Sequence, residues 1–251
     1  MNRCAYCGLA ARPTDEHIWP NSLIDRYEGG LRTYNPRGNR FYRGDPVIKD
    51  VCGDCNSGRL TGLDNYICEL FDKSMHRVLL PGESVRMEYN YDKLLRSLLK
   101  ITYNSSRAMK QPKITEALAR FSPFILNGGY HRNVSIRLQI VTASKAINIV
   151  TEEVRDFGPH ALRTGTTAYQ GPLQHRFFVR LVGINSFWFF LTFSFKEERL
   201  SKWREFSELW SQWALPSGVP LKRDSSIVEI PKEKTTYFIP SLLGALQQAE
   251  G

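Results

Sequence analysis

Long apolar runs are the first thing missing from this chain of 251 residues. The longest lies around Phe187 to Leu191, far short of the ~20 apolar residues that cross a bilayer. The N-terminal Met1-Asn2-Arg3-Cys4 begins no apolar leader, so neither membrane insertion nor export is expected, and a cytoplasmic location is. Internal repeats and low-complexity tracts are also lacking. Acidic residues are the scarcer charge, 25 against 34 Lys and Arg, giving a net charge of +9 and a pI near 9.4. That balance favours an anionic partner such as nucleic acid, although many basic proteins bind no specific polyanion. Residues 1–80 carry 11 Lys and Arg against 10 Asp and Glu, so nearly all the excess lies beyond them. With 42% hydrophobic and 24% charged residues, the chain has the material for one large or two small globular domains.

Cysteine is scarce too, five residues in all. Four of them form two C-x-x-C pairs, Cys4/Cys7 and Cys52/Cys55, with 44 residues between the pairs. In a reducing compartment that spacing reads as metal binding, and four thiolates close a tetrahedral Zn²⁺ site with no open position. The zinc would be structural. Cys68, inside the apolar run Tyr66 to Phe71, reads as a core residue.

The pattern along the chain predicts an α+β protein with a boundary at Pro81-Gly82. Residues 1–13 read as a knuckle, 14–20 as a short extended segment, 21–46 as a polar, Gly-rich basic loop, and 47–51 as a second strand. Leu60, Leu63, Ile67, Leu70 and Phe71 recur at helical spacing after Cys55. Residues 81–251 are predicted to form an α+β accessory domain: helices over about 91–103, 113–121 and 196–215, a strand at 134–140, and a hairpin about Asn185-Ser186. Lys93, Arg96 and Lys100 are expected on one solvated face of the first of these helices. Leu200, Trp203, Phe206, Trp210 and Trp213 are expected on the inner face of the last.

Between the cysteine pairs lies Thr14-Asp15-Glu16-His17-Ile18-Trp19-Pro20. The order C-x-x-C, then acid-His-Ile-x-Pro, then C-x-x-C-Asn resembles the HNH, or ββα-metal, endonuclease superfamily. It looks closest to members braced by a four-cysteine zinc, such as phage endonuclease VII-like resolvases. The resemblance spans roughly residues 4–75. It implies a zinc-braced ββα-metal module over residues 1–80 that hydrolyses DNA phosphodiester bonds. His17 would be the general base, Glu16 and Asn56 ligands of a catalytic Mg²⁺ or Mn²⁺, and Arg59 a holder of phosphate charge. Asp64, two turns beyond Asn56, is a weaker candidate for the same ion. Many members orient the histidine with an asparagine about nine residues before the last ligand. Here that position is Val47, which leaves the orienting group open; Asn39 is one candidate.

Arg26, Arg32, Arg37, Arg40 and Arg43 are expected to grip phosphates beside the site, and Lys93, Arg96 and Lys100 to extend the track; Arg107, Lys110 and Lys113 follow. The implied partner is duplex or branched DNA, with a homodimer or a partner protein of a restriction or antiphage defence system in view by analogy. Two other readings stand beside this one: a non-catalytic zinc-braced module that binds nucleic acid or a partner, and a nuclease directed at RNA.

Overall fold

Two short strands bracketed by cysteine pairs set the geometry of the N-terminal chain. In the computed structural model, which describes residues 3–27, 32–35, 40–131, 133–148, 150–167, 169–213 and 218–238, Cys4 and Cys7 sit on a tight turn. The Gly8 N–H closes that turn on Cys4 O at 2.9 Å. Gly8 has φ +73°, a region that glycine enters without a Cβ clash. The chain continues through β1 (Pro13–His17), the one-turn helix α1 (Asn21–Ile24), β2 (Arg32–Asn35), β3 (Arg40–Arg43) and β4 (Val47–Cys52). β1 and β4 pair antiparallel, Pro13 opposite Cys52 and His17 opposite Val47, with a bulge between Thr14 and Glu16.

The expected featureless loop at 21–46 instead holds α1 and an antiparallel β2–β3 pair. The residues explain it: Leu23 and Tyr27 are buried anchors, and Thr33-Tyr34 opposite Phe41-Tyr42 are residue types suited to a pleated surface.

After Cys52 the chain makes a π-helical turn (Asp54–Arg59), then α2 (Thr61–Leu70) and a second π-helical turn (Phe71–Met75). The predicted stripe Leu60, Leu63, Ile67, Leu70 and Phe71 is buried. Next come β5 (Val85–Glu88), α3 (Tyr91–Ala108), α4 (Pro112–Ala119) and α5 (Ser122–Asn127). Asn90 caps α3 by accepting the Lys93 N–H at 2.9 Å. From Ser97 to Ser106 every residue of α3 is buried, so this helix runs through the interior.

The remaining chain builds β6 (Ser135–Thr142), a β7 (Ser144–Ile147) and β8 (Val154–Phe157) hairpin, β9 (Leu162–Thr166), β10 (Phe177–Ile184), β11 (Phe187–Ser194), α6 (Leu200–Trp213), β12 (Val219–Pro220), β13 (Ile227–Ile230) and β14 (Thr235–Tyr237). One sheet runs β12-β6-β11-β10-β9, with β14 added parallel to β6. The predicted β10–β11 hairpin turns at Asn185-Ser186. Its strands are apolar on both faces because both are covered. Phe178, Val182, Phe189 and Phe193 enter the main core, while Phe177 stacks on Phe206 of α6 at 4.6 Å. Leu200, expected inside, is exposed at the first residue of α6; Phe206 and Trp210 are buried. No helix among the described residues is long and apolar enough to cross a membrane.

The main core does not stop at Pro81-Gly82. Leu23, Ile67 and Met75 belong to the same buried cluster as Leu94, Leu98 and Phe189, and β13 returns to pair with β5. A fragment of residues 1–80 exposes this shared interface, and zinc alone does not replace it. Its ¹⁵N–¹H correlation spectrum with zinc is expected to show the narrow dispersion of an unfolded chain; native-like dispersion would contradict this packing.

Candidate functional site

The four predicted ligands meet. The Sγ atoms of Cys4, Cys7, Cys52 and Cys55 all lie within 4.8 Å of one another, and Cys7 and Cys52 are 3.8 Å apart. The edge of a tetrahedron with Zn–S arms of ~2.3 Å is about 3.8 Å, so this set can hold a structural metal such as zinc. Burial alone would raise the Cys4 thiol, but backbone N–H groups of Cys7, Cys52 and Tyr6 aimed at its sulfur bring it down to about 6. Burial and the neighbouring sulfurs push Cys55 the other way. A cation placed among the four would favour all four thiolates.

Closing this hand fixes what lies next to it. Asn56 follows Cys55 and donates its side-chain N–H to Thr14 Oγ1 at 3.0 Å and Asp15 O at 2.8 Å. Its amide nitrogen therefore anchors β1 where the β1–β4 register shifts. Thr14 in turn donates to Val51 O at 2.9 Å, which ties β1, β4 and the π-helical turn together.

His17, at the end of β1, has about a third of its side chain exposed, and its Nδ1 lies 3.6 Å from Asp45 Oδ2. The Asp45 carboxylate is almost fully buried and accepts the backbone N–H groups of Ile18 at 2.9 Å and Trp19 at 3.2 Å. Burial raises its pKa to about 6, against the lowering effect of those donors and of His17. Nδ1 facing a carboxylate leaves Nε2 as the outward nitrogen.

The backbone of His17 is held from the other side. Asn104 of α3, fully buried, donates to His17 O at 2.9 Å and to Glu16 Oε1 at 2.9 Å. Its own Oδ1 accepts from Tyr6 Oη at 2.6 Å and Arg107 at 2.5 Å. The place where the resemblance expects an orienting asparagine is Val47, directly across the strand pair from His17. The amide that holds His17 instead arrives from 87 residues along the chain.

Glu16 points inward and is buried. Lys100 Nζ lies 2.8 Å from Glu16 Oε1 and 2.6 and 2.8 Å from the two Asp64 carboxylate oxygens. Burial by itself would lower the Lys100 ammonium, but the two carboxylates outweigh it and hold it above the ordinary lysine range. Burial raises Asp64 despite its lysine partner. Of the three oxygen donors expected for a divalent ion, the structure thus brings Glu16 and Asp64 together around a lysine, and Asn56 to the other side of the bulge.

The expected phosphate contacts separate in the same way. Lys100 is buried in the interior and cannot reach a phosphate, because two carboxylates hold it there. Arg96 donates to Ile125 O and Leu126 O and pairs with Asp92; it closes the end of α5. Lys93 is exposed beside Tyr66. Arg107 pairs with Asp50 at 2.9 Å and lies over Tyr103. Arg26 makes a two-pronged pair with Asp72. Arg59 is exposed and donates to Asn127. Arg43 is exposed and Arg32 is its register partner across β2–β3, with Arg40 in the same pair. Arg37 and Asn39 lie outside the described residues. A groove of about 430 Å³ between Tyr66, Lys73, Glu88 and Ser226 includes none of these site residues.

Asp45, Asn104 and the pairing role of Lys100 were not legible in the sequence. Asp45 sits in a Gly-Asp-Pro turn two residues before the position where an orienting group was sought. Asn104 and Lys100 face the same side of α3, four residues apart, and that polar i, i+4 spacing inside an apolar helix was the available signal.

Purified protein is expected to carry one zinc per chain by metal analysis, and Cys55→Ser to lose it together with cooperative unfolding. Zinc retained at full stoichiometry in Cys55→Ser would contradict the site. Because folding raises the Asp45 carboxyl, the folded chain binds that proton more tightly than the unfolded one. Its contribution to stability is therefore full below about pH 4 and lost as pH rises towards 6, by roughly 2–3 kcal/mol. Asp45→Asn keeps an acceptor for the two backbone groups and removes the titration. Its stability relative to wild type is expected to improve by about 2 kcal/mol between pH 4 and 7 in denaturant titrations. An unchanged difference across that range would contradict the burial.

No protein-family model, curated protein or solved structure matches this chain.

Proposed function

We propose that the protein is a phosphodiester hydrolase of the HNH endonuclease type, acting on nucleic acid with His17 as general base. The observation that carries the reading is the clamp on His17. Its backbone oxygen is held by Asn104 and its Nδ1 faces the buried carboxylate of Asp45, beside a four-cysteine hand that can hold zinc. A strand pair leading into a helix behind the second cysteine pair is the order the resemblance implies.

In this reading Nε2 of His17 takes a proton from water as the water oxygen bonds to phosphorus. The P–O3′ bond breaks, the 3′ oxygen leaves and is protonated from solvent, and the products carry 5′-phosphate and 3′-hydroxyl ends. A neutral imidazole has a free ring nitrogen that can accept this proton. Arg59, three residues beyond Asn56 on an exposed turn, is the nearest of the expected arginines in sequence to offset phosphate charge. Arg43 and Lys93 are exposed and offer backbone contacts that position without reading sequence.

The divalent ion of this reading fits the residues poorly. Both Asp64 oxygens and Glu16 Oε1 are spent on Lys100, and Asn56 directs its side-chain N–H, not its oxygen, at β1. No step above is therefore routed through such an ion. The same observation favours the second reading, a zinc-braced module that binds nucleic acid without cutting it.

Nicking of supercoiled plasmid separates the two, with Mg²⁺, Mn²⁺ and EDTA arms and a parallel RNA substrate. Wild type is expected to nick DNA and His17→Ala to lose about 100-fold or more while keeping its zinc. Equal cutting by His17→Ala would remove the histidine from the chemistry. Binding without cutting in every arm would select the non-catalytic module, and cutting of RNA alone would move the substrate.

A further inference from the structure

We infer that Lys100 is a built-in cation that takes, on Glu16 and Asp64, the place a divalent metal ion would need. The inference goes beyond the hydrolase reading and stands whether or not His17 cuts a substrate.

The argument starts from a count. A lysine ammonium has three N–H donors and no acceptor. Around Lys100 Nζ there are three carboxylate oxygens at 2.6, 2.8 and 2.8 Å: Asp64 Oδ1, Asp64 Oδ2 and Glu16 Oε1. Every donor has an acceptor. Glu16 Oε1 also accepts from the Asn104 amide at 2.9 Å, so every oxygen that Lys100 touches is held from within the protein.

Geometry then keeps the lysine where it is. Lys100 lies mid-way along α3, a helix anchored at its start by the Asn90 cap and buried continuously from Ser97 to Ser106. Its side chain is 3% exposed and that of Glu16 is 4% exposed. To vacate the carboxylates the ammonium would have to leave two charges unpaired in the interior, which is strongly unfavourable. A hydrated Mg²⁺ has the opposite requirement: it keeps several waters and seeks octahedral oxygen ligation at ~2.0–2.1 Å. A lined and filled interior position offers room for neither.

The arrangement also explains why an acidic residue beside a candidate catalytic histidine is buried rather than offered to solvent. Glu16 is neutralised on the spot by a cation that never dissociates, so β1 stays docked on α3 at every metal concentration. Any divalent ion serving His17 would then have to bind without Glu16 and Asp64.

The test is Mn²⁺ binding to the zinc-loaded full chain, read by electron paramagnetic resonance and independent of cutting. Wild type and Glu16→Gln are expected to bind Mn²⁺ equally, within about twofold, or not at all; Asp64→Asn serves the same purpose if Glu16→Gln misfolds. Lys100→Ala opens the position and leaves two carboxylates. It is expected to bind Mn²⁺ at least about tenfold more tightly than wild type and to rise in melting temperature as Mn²⁺ is added. Wild-type binding that is lost in both Glu16→Gln and Asp64→Asn would overturn the inference, because the ion would then share or displace the lysine. Lys100→Ala that folds but gains no Mn²⁺ affinity would also overturn it. A plasmid that goes uncut changes neither result, so failure of the hydrolase reading is distinguishable from failure here.

Discussion

The N-terminal half of the molecule is organised by the need to bury one carboxylate. Glu16 turns inward on the same face of β1 as Thr14, between the exposed Asp15 and the part-exposed His17. A buried charge must then be met by an opposite charge and by hydrogen bonds. α3 supplies both from successive turns, Lys100 for the charge and Asn104 for the amide donor. Asp64 completes the acceptor set from α2. One strand and two helices are thereby locked together at a point one residue from His17. The same amide that satisfies Glu16 also holds the His17 carbonyl, so docking the strand and positioning the histidine are one event.

The cysteine hand works from the opposite end of the same strands. It sets the turn that carries Asn56, and Asn56 pins Thr14 and Asp15, the two residues that lead into Glu16. A metal in the hand and the buried cluster on α3 thus act on the same short strand from its two sides. The extended core beyond residue 80 is part of this arrangement rather than an appendage, since the helix that completes the site is also the helix against which β9 and β10 of the large sheet pack.

The cysteine spacing, the β1–β4 pair, the helix behind Cys55 and the Asn185-Ser186 hairpin could be read from the chain because each rests on a local pattern: ligand spacing, alternation, helical periodicity, a two-residue turn. The site's second layer could not. Lys100 looked like part of a basic face because periodicity assigns a lysine in an apolar helix to solvent, and only a carboxylate from 84 positions earlier in the chain reverses that assignment. Asp45 was hidden within the expected 21–46 loop because its partners, His17 Nδ1 and two backbone groups, become neighbours only when β1 and β4 pair. The inward face of Glu16 leaves no composition signal in Thr-Asp-Glu-His. Long-range pairing determined each of these positions, and the polar Lys100/Asn104 spacing on α3 was the one local hint of it.

We propose that His17 works as a base, with Nδ1 turned to Asp45 and Nε2 outward. The ¹⁵N chemical shifts of its imidazole at neutral to slightly basic pH report the tautomer directly. The proton is expected on Nδ1, with Nε2 unprotonated, and Asp45→Asn is expected to shift the balance between the two. A proton on Nε2 in the wild-type protein would contradict it, since the outward nitrogen would then have nothing to accept.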